Sequence, residues 1–142
     1  MAGAALATFI ALIPRSDAAP REVLPGPVPA ELVRVVDGDS VLVSARIWLG
    51  QRVTVSVRLA GIDAPEIRGR CDAERKRAHR AREFLVRRLK EGNIALADIH
   101  YGKYAGRVVA RLLDRDGVDL GAALVKAGLA RPYAGRRRLP WC

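Results

Sequence analysis

The sequence is poor in cysteine and in aromatic residues. Only 2 of its 142 residues are cysteine and 5% are aromatic. Two cysteines are too few for a four-ligand zinc ribbon or a disulfide-dense small domain. No apolar run approaches the roughly 20 residues of a transmembrane helix, so we expect no membrane anchor. Half of the residues are hydrophobic and 28% are charged, which indicates one globular domain and not a disordered or fibrous chain.

Acidic residues are also scarce relative to basic ones. The sequence has 15 Asp and Glu and 25 Lys and Arg, which gives a net charge of +10 and a pI near 10.7. This excess favours a polyanionic partner, either nucleic acid or an anionic membrane surface. Arginine makes up 21 of the 25 basic residues, which suits phosphate binding through the guanidinium fork. Arginine-rich codon usage would give the same composition, so composition alone does not separate the two explanations.

The chain divides into four predicted regions. Residues 1–19 begin with an apolar run that fits the core of a secretory signal peptide, although no basic residue precedes that run. A proline-rich segment, 20–30, predicts an extended linker without regular structure. The folded domain is predicted over 31–135, and a basic tail over 136–142. We therefore expect an exported protein, periplasmic or secreted, with a buried N-terminal helix as the alternative reading of the first region.

Export bears on the two cysteines. In an oxidising compartment, a bridge between Cys71 and Cys142 would tie the tail to the domain, and closing so long a loop is worth roughly 4 kcal/mol in the chain-entropy model. Two unpaired thiols are the alternative.

Hydrophobic periodicity predicts five strands and two helices in the order βββ-α-ββ-α. The strands are expected at 32–36, 40–48, 52–60, 94–99 and 107–114, and the helices at 72–90 and 120–127. Asp119 is the expected cap of the second helix. This order predicts an α+β, mainly β fold: a five-stranded OB-type barrel with helices packed on it.

Three carboxylates fall at strand ends in turn-like contexts. Asp39 lies in an Asp-Gly-Asp turn, and Asp63 and Glu66 follow a strand and flank a proline. Such acids, joined by backbone carbonyls and water, suit a hard divalent cation such as Ca²⁺. Taken singly, each acid is equally compatible with a solvated residue that ends a strand.

Two arginines strengthen the case for phosphate chemistry. Arg58 lies on the opposite face of its strand from Val57 and Leu59, and Arg107 starts a strand after a glycine-bearing turn. Two arginines beside a metal could clamp a phosphodiester and neutralise charge in its transition state. Surface arginines in an arginine-rich protein are the alternative.

The order of these motifs resembles that of the staphylococcal nuclease (thermonuclease) family. The resemblance covers about residues 31–133 and depends on Val-Asp-Gly-Asp-Ser at 36–40, Arg-Leu-Ala-Gly-Ile-Asp-Ala-Pro-Glu at 58–66, Tyr-Ala-Gly-Arg at 104–107 and the segment 116–130. The resemblance implies Ca²⁺-dependent hydrolysis of DNA or RNA, with 3′-phosphate and 5′-hydroxyl products.

The resemblance also implies a metal site. Asp39 and Asp63 match the family's calcium carboxylates, and Asp37 is expected to support them. Ala64 stands where the metal commonly receives the backbone carbonyl of a threonine, so the carbonyl is kept and the hydroxyl is lost.

Catalytic and substrate-binding roles carry over in the same way. Glu66 matches the acid assigned as general base or orienter of the attacking water, and Arg58 and Arg107 match the phosphate-binding arginines. Lys103 and Tyr104 resemble residues that touch the nucleotide, although Ala105 makes this turn one residue longer than in the family.

The basic tail adds one candidate contact with substrate. Its arginines, 136–138, are near Tyr133, which could stack on a base while they contact phosphates. A non-catalytic OB-fold module that binds nucleic acid is the main rival hypothesis, and membrane docking through 71–90 is a weaker one. The expected partner is DNA or RNA, and the expected state is a monomer.

Overall fold

The computed structural model describes residues 21–90 and 92–142. The predicted signal peptide, 1–19, therefore lies outside the described residues. Five strands form a closed barrel, which confirms the predicted OB-type barrel. The strands are β1 (Val28–Asp37), β2 (Ser40–Trp48), β3 (Gln51–Leu59), β5 (Asn93–Tyr101) and β6 (Arg107–Leu113). Their order around the barrel is β1-β2-β3-β6-β5.

A two-stranded ribbon and two helices complete the fold. The ribbon pairs β4 (Ile62–Asp63) with β7 (Arg131–Pro132), and the helices are α1 (Asp72–Leu89) and α2 (Leu120–Lys126). Asp119 caps α2 as expected, because its carboxylate accepts hydrogen bonds from the first N–H groups of that helix.

Strand pairing around the barrel is antiparallel except at one seam. β3 pairs with β6 in parallel, with Ser56 opposite Arg107 and Arg58 opposite Val109. Side chains alternate across a strand, so Arg58 and Arg107 project from the same face of neighbouring strands. The barrel closes where β1 pairs with β5.

Inward-facing aliphatic side chains fill the barrel, and α1 covers part of it. Val41, Val43 and Val57 are fully buried on neighbouring strands. Leu85 and Leu89 of α1 belong to the same core cluster. The apolar face of α1 is thus used in packing, which removes the surface that the membrane-docking hypothesis for 71–90 requires. Within the described residues, no helix is long and apolar enough to cross a membrane.

Two local features differ from the sequence predictions. β1 begins at Val28, so the last part of the segment 20–30 is a strand and not an irregular linker. Pairing with Asn93–Leu96 of β5 provides hydrogen bonds that local sequence does not reveal. The β4–β7 ribbon was not predicted either, because two-residue strands carry no periodicity.

Candidate active site

The turn between β1 and β2 places Asp39 beside the end of β3. Asp37 pairs with Ser40, which leaves Gly38 and Asp39 as a two-residue turn. A Cβ at Gly38 would lie 2.7 Å from the Cβ of Ala81 in α1, so only glycine fits this packing. The N–H of Leu59 donates to the carbonyl of Asp39 at 2.8 Å. The turn is therefore fixed to both α1 and β3.

Asp39 and Arg58 form a buried ion pair. Their side chains are 10% and 11% exposed, and an Nη1–H of Arg58 donates to Oδ2 of Asp39. The Nη2 of Arg58 donates to the carbonyl of Ile62 at 3.0 Å, and the Ser40 hydroxyl donates to Oδ1 of Asp39 at 2.8 Å. The structure thus brings together a predicted metal ligand and a predicted phosphate-binding arginine.

The segment after β3 carries the other predicted acids. Asp63 is 4% exposed, and the Ala64 that follows it is also buried. The Cβ of Ala64 would lie 3.1 Å from a Cβ at Gly38, so this segment packs against the Asp39 turn. Glu66 is more accessible, with a side chain 56% exposed. One ligand candidate is therefore fixed by packing, whereas the candidate base faces solvent.

Glu74 of α1 braces the loop that holds Glu66. Its carboxylate accepts hydrogen bonds from the N–H of Glu66 at 3.3 Å and the N–H of Arg70 at 2.9 Å. A Cβ at Gly69 would lie 2.3 Å from Cδ of Glu74, so the loop wraps closely around this carboxylate. Sequence reasoning missed Glu74, because an acid in a strongly basic helix looks like a surface charge.

Electrostatics place Asp37 in the same acidic region. Burial raises the pKa of Asp37, and the charges of Asp39 and Glu66 raise it further. Hydrogen bonds from the N–H groups of Gly38 and Ile67 act in the opposite direction but do not offset the rise. Asp37 is therefore subject to the negative charges of both the predicted ligand Asp39 and the predicted base Glu66.

Arg107 lies beside the predicted nucleotide-contacting turn. Its guanidinium is 4.9 Å from the centre of the Tyr104 ring. Its Nε is buried and has no hydrogen-bond partner among the described residues. Tyr104 is 66% exposed, and Lys103 is also exposed. These two side chains border Arg107 and are open to solvent, as a substrate-contacting surface would be.

Residues 136–142, hereafter the strap, cross the acidic region. Nε of Arg138 lies 3.1 Å from Oδ1 of Asp63, and Nη1 of Arg138 lies 2.7 Å from Oε1 of Glu66. Burial lowers the pKa of Arg138, but attraction to Asp63 and Asp39 and the hydrogen bond to Glu66 outweigh burial and raise the pKa. Nε1 of Trp141 donates to Oδ2 of Asp63 at 3.1 Å. The predicted basic tail is thus ordered against the site.

The strap is anchored covalently and by contacts with β7 and the residue that follows it. Cys142 is joined to Cys71 in a disulfide, with Cα atoms 6.0 Å apart. The guanidinium of Arg131 stacks 3.5 Å from the centre of the Trp141 ring. Tyr133 donates from its hydroxyl to the carbonyl of Arg136. Here Tyr133 orders the strap, and its role in base stacking stays a prediction.

The acids fit a hard cation in kind. Carboxylates and a backbone carbonyl are all-oxygen donors, as Ca²⁺ prefers. Oδ1 of Asp63 is buried and accepts no hydrogen bond from the residues that the structure describes, since Arg138 is close but not aligned to donate to it. An acid oxygen with this free capacity suits a metal ion. Asp39 and Asp63 would hold the ion, with the carbonyl of Ala64.

The acids are not, however, gathered into a compact ligand set. Among the described residues, three candidate ligands have their donor atoms within 4.8 Å of one another: Cys71, Glu74 and Cys142. That group cannot offer thiolates, because both sulfurs are used in the disulfide. At the predicted site, the guanidinium of Arg138 contacts two of the acids instead.

The closed five-stranded barrel, with buried acids and arginines at its strand ends, is that of an OB-type protein. Residues 56–139 match the family described as "Staphylococcal nuclease homologue". The chain therefore belongs to the staphylococcal nuclease homologue family. It is also 33% identical over 96 residues to "Probable endonuclease LCL3" of Verticillium alfalfae, a match that covers 62% of this chain and 31% of that protein.

Proposed function

We propose that this protein is a Ca²⁺-dependent nuclease that hydrolyses phosphodiester bonds of DNA or RNA. One observation carries the proposal. Two side-chain atoms in the described residues are buried without a hydrogen-bond partner: Oδ1 of Asp63 and Nε of Arg107. Buried polar atoms are normally paired, so each exception calls for an explanation. Binding of a cation would give Oδ1 of Asp63 its partner, and binding of a phosphate would give Nε of Arg107 its partner. Membership of the family supports the same chemistry.

Arg58 and Arg107 have the role of phosphate binding. They project from one face of adjacent strands, so their guanidinium groups can contact the same phosphodiester. Arg58 is held in place by Asp39 and the carbonyl of Ile62, whereas Nε of Arg107 finds no acceptor in the described part of the chain. Fixed donors stabilise the charge that develops on the phosphoryl oxygens without reorganising during the reaction. When bound, Ca²⁺ would supply further neutralisation of that charge.

Glu66 has the role of general base. Its side chain is accessible to water, while its backbone is held by Glu74. It accepts a proton as the water oxygen forms its bond to phosphorus, and the bond to the 5′-oxygen breaks on the opposite side. The 5′-oxygen leaves and takes up a proton from solvent water, Glu66 later returns its proton to solvent, and the phosphate stays on the 3′-oxygen.

The test is cleavage of single-stranded DNA and RNA by the purified protein in Ca²⁺ and in EGTA. Glu66→Gln is expected to lower the rate by about 10²–10⁴-fold, because it removes the base. Arg107→Ala is expected to lower it by about 10²–10³-fold, because it removes a transition-state donor. Arg111→Ala is the matched control: Arg111 lies on β6 as well, but it is paired with Asp98 and Asp119.

Two results would contradict this reasoning: the first would contradict the nuclease proposal itself, and the second the role given to Arg107. One is salt-sensitive binding of DNA without cleavage in any divalent metal, which would favour the non-catalytic binding module. The other is equal loss of activity in the Arg107 and Arg111 variants, which would show that only general basic charge matters.

We further propose that the protein is exported to an oxidising compartment. The pairing of Cys71 with Cys142 supports this, since disulfides persist mainly in such compartments. Alkylation without reduction of protein isolated from its native compartment should leave both cysteines unmodified. Two alkylated thiols would contradict export.

A further inference from the structure

We propose that the strap is an autoinhibitory element, in which Arg138 takes the place of the cation and the Cys71–Cys142 disulfide keeps it there. The inference rests on the proposed function, because it concerns the metal site of the proposed nuclease. Opening the strap, by reduction of the disulfide, makes the acids available to Ca²⁺.

Both carboxylate oxygens of Asp63 face the strap. Oδ1 lies 3.1 Å from the guanidinium of Arg138, and Oδ2 accepts a hydrogen bond from Trp141. The Asp63 side chain is 5% exposed with the strap in place. A cation that binds Oδ1 of Asp63 therefore meets the positive charge of Arg138 at the same oxygen. The base Glu66 is occupied by the same guanidinium, so one arginine blocks two predicted functions.

The ion pair between Arg138 and Asp63 is weaker than the ion pair between Arg58 and Asp39. Its N–H is not aligned with Oδ1 of Asp63, so the contact is electrostatic without a hydrogen bond. The Arg58–Asp39 pair is hydrogen-bonded and buried, whereas the Arg138 side chain is 42% exposed. Water competes for the exposed part of the Arg138 guanidinium, although Asp63 itself is buried. Such a contact can be exchanged for a metal ion.

The disulfide keeps this weak contact in place. Tyr133 donates from its N–H to the carbonyl of Gly61 at 2.8 Å, which fixes the entry to the strap. Cys142 fixes the other end on the residue that precedes α1. A segment tied at both ends presents Arg138 to Asp63 at a high effective concentration. Once the bond is cut, only non-covalent contacts oppose opening. Among them are those of Arg138 and Trp141 with the acids, and the hydrogen bonds from Arg131 to the carbonyls of Leu139 and Pro140.

The redox step requires a dithiol reductant. One thiolate of the reductant attacks the sulfur of Cys142, which is an exposed residue. The S–S bond breaks, and the sulfur of Cys71 leaves and takes up a proton. The second thiolate of the reductant then attacks the mixed disulfide and releases Cys142 as a thiol. The protein gains two electrons and two protons, and the dithiol becomes a disulfide.

Calorimetric titration of the full chain with Ca²⁺ tests the proposal without relying on catalysis. Arg138→Ala and the double variant Cys71→Ser/Cys142→Ser are expected to bind Ca²⁺ about tenfold more tightly, which corresponds to a binding-competent state populated to roughly 10% in the oxidised protein. Arg137→Ala is the matched control, since it removes the same charge from the neighbouring strap residue. It should leave the affinity within twofold of that of the oxidised protein.

The outcomes separate failure of the strap from failure of the proposed function. Equal Ca²⁺ affinity in all four proteins, abolished by Asp63→Asn, would overturn the strap and keep the metal site. Weaker Ca²⁺ binding in Arg138→Ala, together with weaker DNA binding, would also overturn it and make Arg138 a substrate contact. Absence of Ca²⁺ binding in every protein, strap-open variants included, would overturn both proposals. Tighter binding in the arginine variant and in the cysteine double variant, but not in the control, would support the strap.

Discussion

Replacing Arg58 with methionine should be among the most destabilising single changes at the site. The substitution keeps much of the apolar stem but leaves Asp39 charged, 10% exposed and without its cation. It also removes the donor to the carbonyl of Ile62. Breaking a buried ion pair from one side costs about 3–5 kcal/mol, because the remaining charge is uncompensated. Urea unfolding in EDTA, followed by circular dichroism, would measure this loss.

Arg52→Met is the matched control for that experiment. Arg52 lies on the same strand and pairs with Glu31, but the two side chains are 40% and 59% exposed. Its loss should cost less than about 1 kcal/mol. The double variant Arg58→Met/Asp39→Asn should recover much of the stability lost by Arg58→Met, since no unpaired charge remains. Equal costs for the two arginines, or strict additivity in the double variant, would refute the reasoning.

Three smaller changes test other parts of the site. Gly38→Ala brings a Cβ within 2.7 Å of Ala81, so it should cost about 1–3 kcal/mol in urea unfolding; an unchanged midpoint would contradict the packing argument. Asp119→Ala removes the cap of α2 and should cost about 1 kcal/mol in the same assay. Asp37→Asn should stabilise the protein at pH 7 in EDTA. The raised pKa of Asp37 means that the folded state favours the neutral carboxyl group. The wild type therefore loses the stability that the neutral form provides as the pH rises through the folded pKa. The difference in stability between variant and wild type should vanish below pH 3.8, the ordinary pKa of an aspartate. A variant less stable than the wild type at pH 7 would contradict the predicted direction.

Periodic elements of this fold could be predicted from sequence, and elements without periodicity could not. The alternation of Val53, Val55 and Val57 indicated β3, although only the end of that strand, at Val57, is fully buried. The helix α1 follows from apolar residues spaced three and four apart. The ribbon of β4 and β7 depends on pairing between segments about 70 residues apart. Such pairing leaves no mark on either two-residue strand.

The same division holds for the site. Asp39, Arg58 and Asp63 lie in short motifs, and their conjunction could be recognised from sequence. Glu74 and Arg138 could not be assigned, because each gains its role only through tertiary contacts. Arg138 meets Glu66 across 72 positions of the chain. Nothing in a run of three arginines indicates which one turns towards an acid.

Asp63 explains why a strap of this kind is physically reasonable. A carboxylate this buried is costly unless a positive charge or strong hydrogen bonds compensate it. A divalent cation supplies that compensation in a metal-loaded site, and Arg138 with Trp141 supplies it in the closed strap. The two are alternative solutions to one electrostatic problem, so the acid that binds metal also attracts the residue that excludes it. Arg58 cannot compensate the charge of Asp63, since its guanidinium is hydrogen-bonded to Asp39 and to the carbonyl of Ile62. Arg138, on a segment that can detach, is able to compensate that charge and to leave when a metal ion binds.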